Sequence, residues 1–171
     1  IFFQNHDDMN MFLKKNITSS AVVERIPGSG IDCDYFAPRE KKNRDRKFRF
    51  LFIGRLLRDK GIIEYVNAAR MLTDELPDSE FNVLGSFWNQ NLKGNSITEE
   101  EVALWEKEGV INYRGEAEDV RDHIGEIDCL VLPSYREGLS NVLLEASSME
   151  KPSIASDTVG CREIVEDGIT G

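Results

Sequence analysis

Two pairs of ionisable residues have the types and spacing to handle a phosphorylated sugar. Glu137 and Glu145 stand eight positions apart in EGLSNVLLE, and Arg55 and Lys60 stand five apart in RLLRDK. Arginine offers a planar fork and lysine a point charge, so the basic pair suits a diphosphate. Ionised carboxylates only accept hydrogen bonds, which suits the hydroxyls of a sugar or ribose. Together the four fit a nucleotide sugar. The plainer reading, four solvated surface charges, stands beside it because such residues are mostly exposed.

The elements around them decide whether the two pairs can meet. Cys129 to Pro133 is a short apolar run with the length of a buried strand. A polar loop, Ser134 to Gly138, follows, and Ser140 and Asn141 offer capping side chains ahead of a helix carrying Val142, Leu143, Leu144 and Ala146. Strand, loop, helix places Glu137 at the carboxyl end of a strand, where open α/β sheets bind ligands. The helix start offers backbone N–H groups to a phosphate. At ~1.5 Å per residue Glu145 lies roughly 7 Å further along the axis, about a ribose away. Upstream, Phe48 to Ile53 reads as a central parallel strand ending at Gly54-Arg55, and Lys60-Gly61 leads into a helix through Thr73 with Ile62, Ile63, Val66, Ala69 and Leu72 toward the core. Arg55 and Lys60 therefore sit in a second loop on the same carboxyl edge.

These segments resemble the retaining, GT-B-fold glycosyltransferases of family four, many of which build bacterial capsule, lipopolysaccharide and exopolysaccharide. EGLSNVLLE resembles their E-x7-E motif. FIGRLLRDKG (Phe52 to Gly61) before it and KPSIASDTVGCREIVEDGITG (Lys151 to Gly171) after it agree in order. The resemblance implies a doubly wound, Rossmann-like parallel sheet forming one half of a GT-B fold. Residues 1–20 would be the tail of the N-terminal acceptor domain or its connection, and 21–171 the C-terminal nucleotide-sugar-binding domain, cut short at its C-terminal end. It implies catalytic roles for Arg55, Lys60 and Glu137, with Arg55 and Lys60 neutralising the departing nucleoside diphosphate. Donor contacts would come from Gly54, Arg114, Gly138, Leu139, Ser140, Asn141 and Glu145, the last holding the ribose. No metal or cofactor is implied. The donor is expected to be a UDP-sugar and the acceptor a saccharide or lipid-linked saccharide. A sugar-nucleotide epimerase and a noncatalytic nucleotide-sugar-binding module are the rival readings.

The remaining chain adds bounds. With 171 residues there is material for one domain of ordinary size. Both ends, IFFQNHDD and DGITG, read as cut. The formal net charge of −10 argues against a general nucleic-acid binder. Three cysteines, Cys33, Cys129 and Cys161, show no metal spacing, so a reduced, cytoplasmic protein is expected, with room for peripheral contact at the inner membrane face through parts beyond these residues. No apolar run is long enough to span a membrane.

Ile1 to Phe3 and Val22 to Ile26 read as short strands and Asp7 to Lys15 as a helix. Gly28 and Gly30 form a turn, which the resemblance places near the cleft, either approaching the donor or simply reversing the chain. Asp32-Cys33-Asp34 spells a D-x-D that serves a metal in another glycosyltransferase fold; chance acidic spacing explains it as well. Arg39 to Lys47 is basic and expected to be solvated, with membrane contact as the sharper reading. Further strands are expected at Glu80 to Leu84, Val110 to Arg114 and Pro152 to Ser156. Helices are expected after Thr98, with Glu101 completing a capping box, at Asp119 to Ile124, and at Glu163 to Glu166. SFWNQNLKGNS, anchored by Trp88, reads as an ordinary surface loop rather than a cleft cover. Glu150 stands where relatives often have glycine and should alter a helix end.

Overall fold

The computed structural model describes residues 1–41, 47–88 and 94–171. Two parallel sheets organise them. A small one pairs β1 (Phe2–Phe3) with β2 (Glu24–Arg25), bracketing α1 (His6–Lys14). The large one contains β3 (Phe48–Ile53), β4 (Ser79–Leu84), β5 (Asn112–Tyr113), β6 (Cys129–Leu132) and β7 (Ser153–Ala155) in the order β5-β4-β3-β6-β7. Helices α2 (Ile62–Leu72), α3 (Glu99–Lys107), α4 (Arg121–Gly125) and α5 (Asn141–Ser148) alternate with these strands. This is the doubly wound α/β sheet expected.

The period of two along β3 sorts its side chains. Phe50 and Phe52 face one way, into a core with Tyr65 and Val66 of α2, Phe81 and Val83 of β4, and Trp105 of α3. Leu51 and Ile53 face the other, against Leu130, Leu143 and Ala146. So α2 and α5 cover opposite faces, and each fully buried Leu or Phe contributes about 1.5–3 kcal/mol. From β3 the chain builds outward through β4 and β5, then returns to β3's other side for β6 and β7. The reversal lies between β3 and β6, where a crevice must open at the carboxyl edge.

Several expectations shift. Of Val22 to Ile26 only Glu24–Arg25 is strand, preceded by a 3-10 turn at Ser20–Val22, and it pairs with β1. Val110 to Arg114 shrinks to Asn112–Tyr113, since Val110 and Ile111 turn inward to pack against the core. The capping box at Thr98 and Glu101 forms, but Leu104 stays 54% exposed. Two positions beyond Val102 it lies about 200° round the helix, away from Val102 and Trp105. In α2, Tyr65 is buried alongside Ile62, Val66 and Ala69, its hydroxyl donating to the Asn82 carbonyl oxygen at 2.9 Å. Asp119 to Ile124 becomes Arg121–Gly125, because the Asp119 carboxylate accepts from the Arg121 backbone and guanidinium ahead of the helix.

Glu163 to Glu166 forms turns, not a helix: the bonds Ile164 to Cys161 and Val165 to Cys161 close single turns, directing Ile164 and Val165 onto the core. Glu150 ends the α5 segment at φ 58°, a left-handed conformation that normally favours glycine. The basic stretch is not simply solvated at its ends. Arg39 pairs with Asp122, Lys41 bonds both Asp128 oxygens at 2.7 and 2.8 Å, and Lys47 meets Glu80 at 2.9 Å; Lys42 to Arg46 lie outside the described residues. Glu80's carboxyl is held below its ordinary range, chiefly by the Lys47 hydrogen bond. Among the described residues no helix is long and apolar enough to cross a membrane.

Candidate functional site

At the β3–β6 reversal the carboxyl edge opens into a cleft of about 360 Å³ lined by Gly54, Arg55, Lys60, Glu137, Leu139, Ser140, Asn141 and Glu145, with Ile53, Leu132 and Val142 as its apolar floor. β3 delivers Arg55 and Lys60, and β6 delivers Glu137. Neighbouring parallel strands bring the two loops together.

Backbone contacts hold them there. Tyr135 N–H donates to the Asp59 carbonyl oxygen at 2.9 Å, and Gly61 backs onto Pro133 so closely that a Cβ would lie 2.0 Å from the Pro133 oxygen. Gly61 also has φ 77°, so the position requires glycine on two counts. The Lys60 ammonium thereby reaches both Glu137 oxygens, at 2.7 and 2.8 Å. On the far side Glu137 N–H donates to the Val159 oxygen at 3.1 Å, and Gly160, φ 79°, would place a Cβ 2.5 Å from the Glu137 carbonyl oxygen.

The start of α5 departs from expectation. Ser140 occupies the N-cap position, but neither it nor Asn141 supplies a side-chain cap; the Ser140 N–H is turned toward the Gly160 oxygen instead, at 3.4 Å. Ser140 is buried, and its hydroxyl stays off the helix amides. Those first N–H groups lack the side-chain acceptor that usually satisfies them, which leaves them available to an anion. One turn on, Glu145 is half-buried and burial raises its carboxyl above the ordinary range. No hydrogen bond or ion pair to its side chain occurs among the described residues. A desolvated carboxylate without a donor is costly and is relieved by hydroxyls that bind it.

The N-terminal segment packs behind the loop that follows β6. Asn5, fully buried, caps α1 by accepting from Asp8 N–H at 2.8 Å and donates to the Gly138 carbonyl oxygen at 2.9 Å. Gln4 fills the space beside Gly138, where a Cβ would meet its Oε1 at 2.1 Å. A Cβ at Gly28, φ 66°, would lie 2.6 Å from the Leu139 side chain, while one at Gly30 would meet nothing within 4 Å, so the glycine turn touches the cleft lining at Leu139. His6 N–H and the Arg25 guanidinium bond the two oxygens of Glu163 at 3.2 and 3.1 Å.

Arg114 is the one expected site residue whose side chain goes elsewhere. Its Nε donates to Asn82 Oδ1 at 2.9 Å beside a separate cavity of about 330 Å³ with Arg49 and His123, leaving only its backbone near the carboxyl edge. Asp32 spends its carboxylate on the N–H groups of Asp34 and Tyr35, both at 3.0 Å, which is turn chemistry. Among the described residues no three His, Cys, Asp or Glu side chains converge. Cys129 and Cys161 are buried, and burial pushes both thiols up. At the start of SFWNQNLKGNS the Arg55 guanidinium lies over the Trp88 ring, 4.6 Å from its centroid. Residues 89–93 of that stretch lie outside the described residues. Trp88, next to Phe87 at the start of a mostly polar run, was the available signal; Asn5 had none.

A family model described as "Glycosyl transferases group 1" matches residues 47–171. An N,N'-diacetylbacillosaminyl-diphospho-undecaprenol alpha-1,3-N-acetylgalactosaminyltransferase of Campylobacter jejuni is 30% identical over 95% of this chain and 42% of its own length. A capsular polysaccharide biosynthesis glycosyltransferase, CapM of Staphylococcus aureus, is 27% identical over 70% of this chain and 30% of its own. The chain thus spans less than half the length of these curated relatives. Among solved structures, the pneumococcal O-GlcNAc transferase GtfA, in complex with UDP and GlcNAc, superposes with a TM-score of 0.72 at 23% identity, covering 98% of this chain and 32% of that one, a likeness of fold.

Proposed function

Since this chain belongs to the family of glycosyl transferases group 1, we propose that it is the nucleotide-sugar-binding part of a retaining glycosyltransferase that moves a sugar from a nucleoside diphosphate to a saccharide or lipid-linked acceptor. One observation carries this: two cations, an uncapped helix start and an unpartnered carboxylate line one cleft at the sheet's reversal point. The cations and helix amides suit a diphosphate, and Glu145 suits the hydroxyls of its ribose. A UDP-sugar is the donor in this reading. Surface polysaccharide synthesis at the cytoplasmic face of the membrane is the setting, supported by relatives named for capsule assembly and a diphospho-undecaprenol substrate. The five-stranded unit from Phe48 onward is the donor domain, and β1, α1 and β2 form its junction with the acceptor side.

In this mechanism Arg55 and Lys60 stabilise the charge that grows on the diphosphate as the glycosidic bond to it breaks. Glu137, anchored by Lys60, orients the sugar. The acceptor hydroxyl attacks from the face the diphosphate leaves, and a phosphate oxygen takes its proton. No protein nucleophile or metal enters the step. Glycosidases differ, in flanking the scissile bond with an acid and a nucleophilic carboxylate.

Calorimetric titration with UDP, GDP and ADP tests the reading. Selective binding, weakened about tenfold for each ~1.4 kcal/mol lost in Glu145→Ala and Arg55→Ala, supports it. Binding that neither substitution weakens would move the donor out of this cleft.

A further inference from the structure

The chain leaving β4 runs beside the chain leaving β3. Gly85 approaches Gly54 so closely that a Cβ would lie 1.8 Å from the Gly54 oxygen. Gly54 N–H donates to the Leu84 oxygen at 3.1 Å, and Leu56 N–H donates to the Ser86 oxygen at 3.0 Å. Further along, Leu57 forms a bridge with Ser96, whose hydroxyl donates to the Trp88 carbonyl oxygen at 2.9 Å. These bonds fix the backbone of Trp88 relative to the loop that bears Arg55. The indole meets the guanidinium at 4.6 Å.

A guanidinium has two distinct surfaces. Its faces stack on aromatic rings, and its edge carries all five N–H donors. An indole under one face therefore leaves the edge free for phosphate oxygens. It also restrains a side chain that otherwise surrenders rotamer freedom when it binds. We propose that Trp88 is a positioning residue for Arg55, holding the guanidinium over the cleft so that a diphosphate meets an already ordered fork. This rests on the diphosphate reading of the cleft given above. Part of the ordering cost is then met during folding rather than during binding.

The test is calorimetric titration of UDP and of inorganic pyrophosphate into the wild-type chain, Trp88→Leu and Trp88→Phe, repeated in an Arg55→Ala background. Trp88→Leu is expected to weaken both ligands by a common factor of about two to thirty, the range of one cation–π contact. Trp88→Phe, which keeps an aromatic face, should retain most of the affinity. In Arg55→Ala, removing the indole should cost nothing further, a coupling that a merely structural role would not produce. The other of the two tryptophans, Trp105, is buried on the core side of α3, so in a Trp105→Phe background tryptophan emission reports Trp88 alone and should change as UDP binds. That emission readout needs no substitution at position 88.

Wild-type affinity in folded Trp88→Leu, or a loss that persists without Arg55, would overturn the inference. So would a loss confined to UDP, which would put the ring against the base. These three results leave the diphosphate reading standing. Failure of the wild-type chain to bind either ligand sinks that reading and the inference with it.

Discussion

The Lys60 ammonium lies 2.7 Å from one Glu137 oxygen and 2.8 Å from the other, a two-point ion pair across loops 77 residues apart in sequence. Their side chains are 18% and 15% exposed, so water screens the pair only in part. A phosphate drawn to Lys60 has to share it with Glu137. The lysine is thus aimed at the cleft by the carboxylate that competes for it.

Glu137→Gln should accordingly separate three properties. Unfolding in urea should show a loss of about 1–3 kcal/mol, from a charge-assisted bond reduced to a neutral one and a lysine left short of its partner. UDP should bind no more weakly than to wild type, because the competitor is gone. UDP-sugar should lose about tenfold relative to UDP if, as proposed, this carboxylate orients the sugar. Lys60→Ala should weaken UDP and UDP-sugar alike.

Glu145→Gln should trade affinity for stability. Burial raises the Glu145 carboxyl, so across the window between its ordinary value and the raised one the folded chain holds a proton that the unfolded chain has released. This group's contribution then falls as pH rises through that window and stays unfavourable at neutral pH. Removing the charge should stabilise the protein at pH 7 by less than about 1 kcal/mol, because water still reaches the half-buried group. UDP binding should weaken about tenfold, as an amide replaces the charged acceptor proposed for the ribose hydroxyls. The wild-type decline in UDP affinity as acid protonates Glu145 should vanish in the variant.

Gly61→Ala should damage both fold and site. The new Cβ would meet the Pro133 oxygen at 2.0 Å on a backbone already at φ 77°. A cost of at least about 2 kcal/mol is expected, seen as a melting temperature lower by roughly 4–8 °C. Because Gly61 follows Lys60, UDP binding by the surviving folded fraction should fall too.

Glu150→Gly should do the opposite. Glycine relieves the left-handed φ of 58° that ends the α5 segment. Denaturant titration should show a gain of about 0.5–1 kcal/mol. UDP affinity should stay unchanged, since Glu150 is far along the chain from the helix start that faces the cleft.

How much was legible follows the range of the interactions involved. Phe48–Ile53 declares itself as a strand through its own composition, and the Thr98–Glu101 capping box through a spacing of three. β5 and the turns after Gly160 were misjudged because core packing, acting from outside, shortened one apolar run and coiled another. The cleft's membership was legible as two loops on one sheet edge, each set by the strand before it. Arg114 was expected near the base through its backbone, and the course of its side chain, which bonds Asn82, was not legible. Trp88 was visible as an anchor without a partner.

By itself the sequence determined the alternation of strands and helices, the edge on which Arg55, Lys60, Glu137 and Glu145 gather, and the family. These depend on periodicity and on motifs a few residues long, which act locally. Only the tertiary structure decided that Lys60 is bound to Glu137, that Trp88 underlies Arg55, that Asn5 holds the Gly138 carbonyl, and that the start of α5 goes uncapped. Each of these joins segments distant in sequence, or turns on where one side chain finds its hydrogen bond. The strand order β5-β4-β3-β6-β7 places the loop after β3 between those after β4 and β6, which brings Arg55 to Trp88 and Lys60 to Glu137.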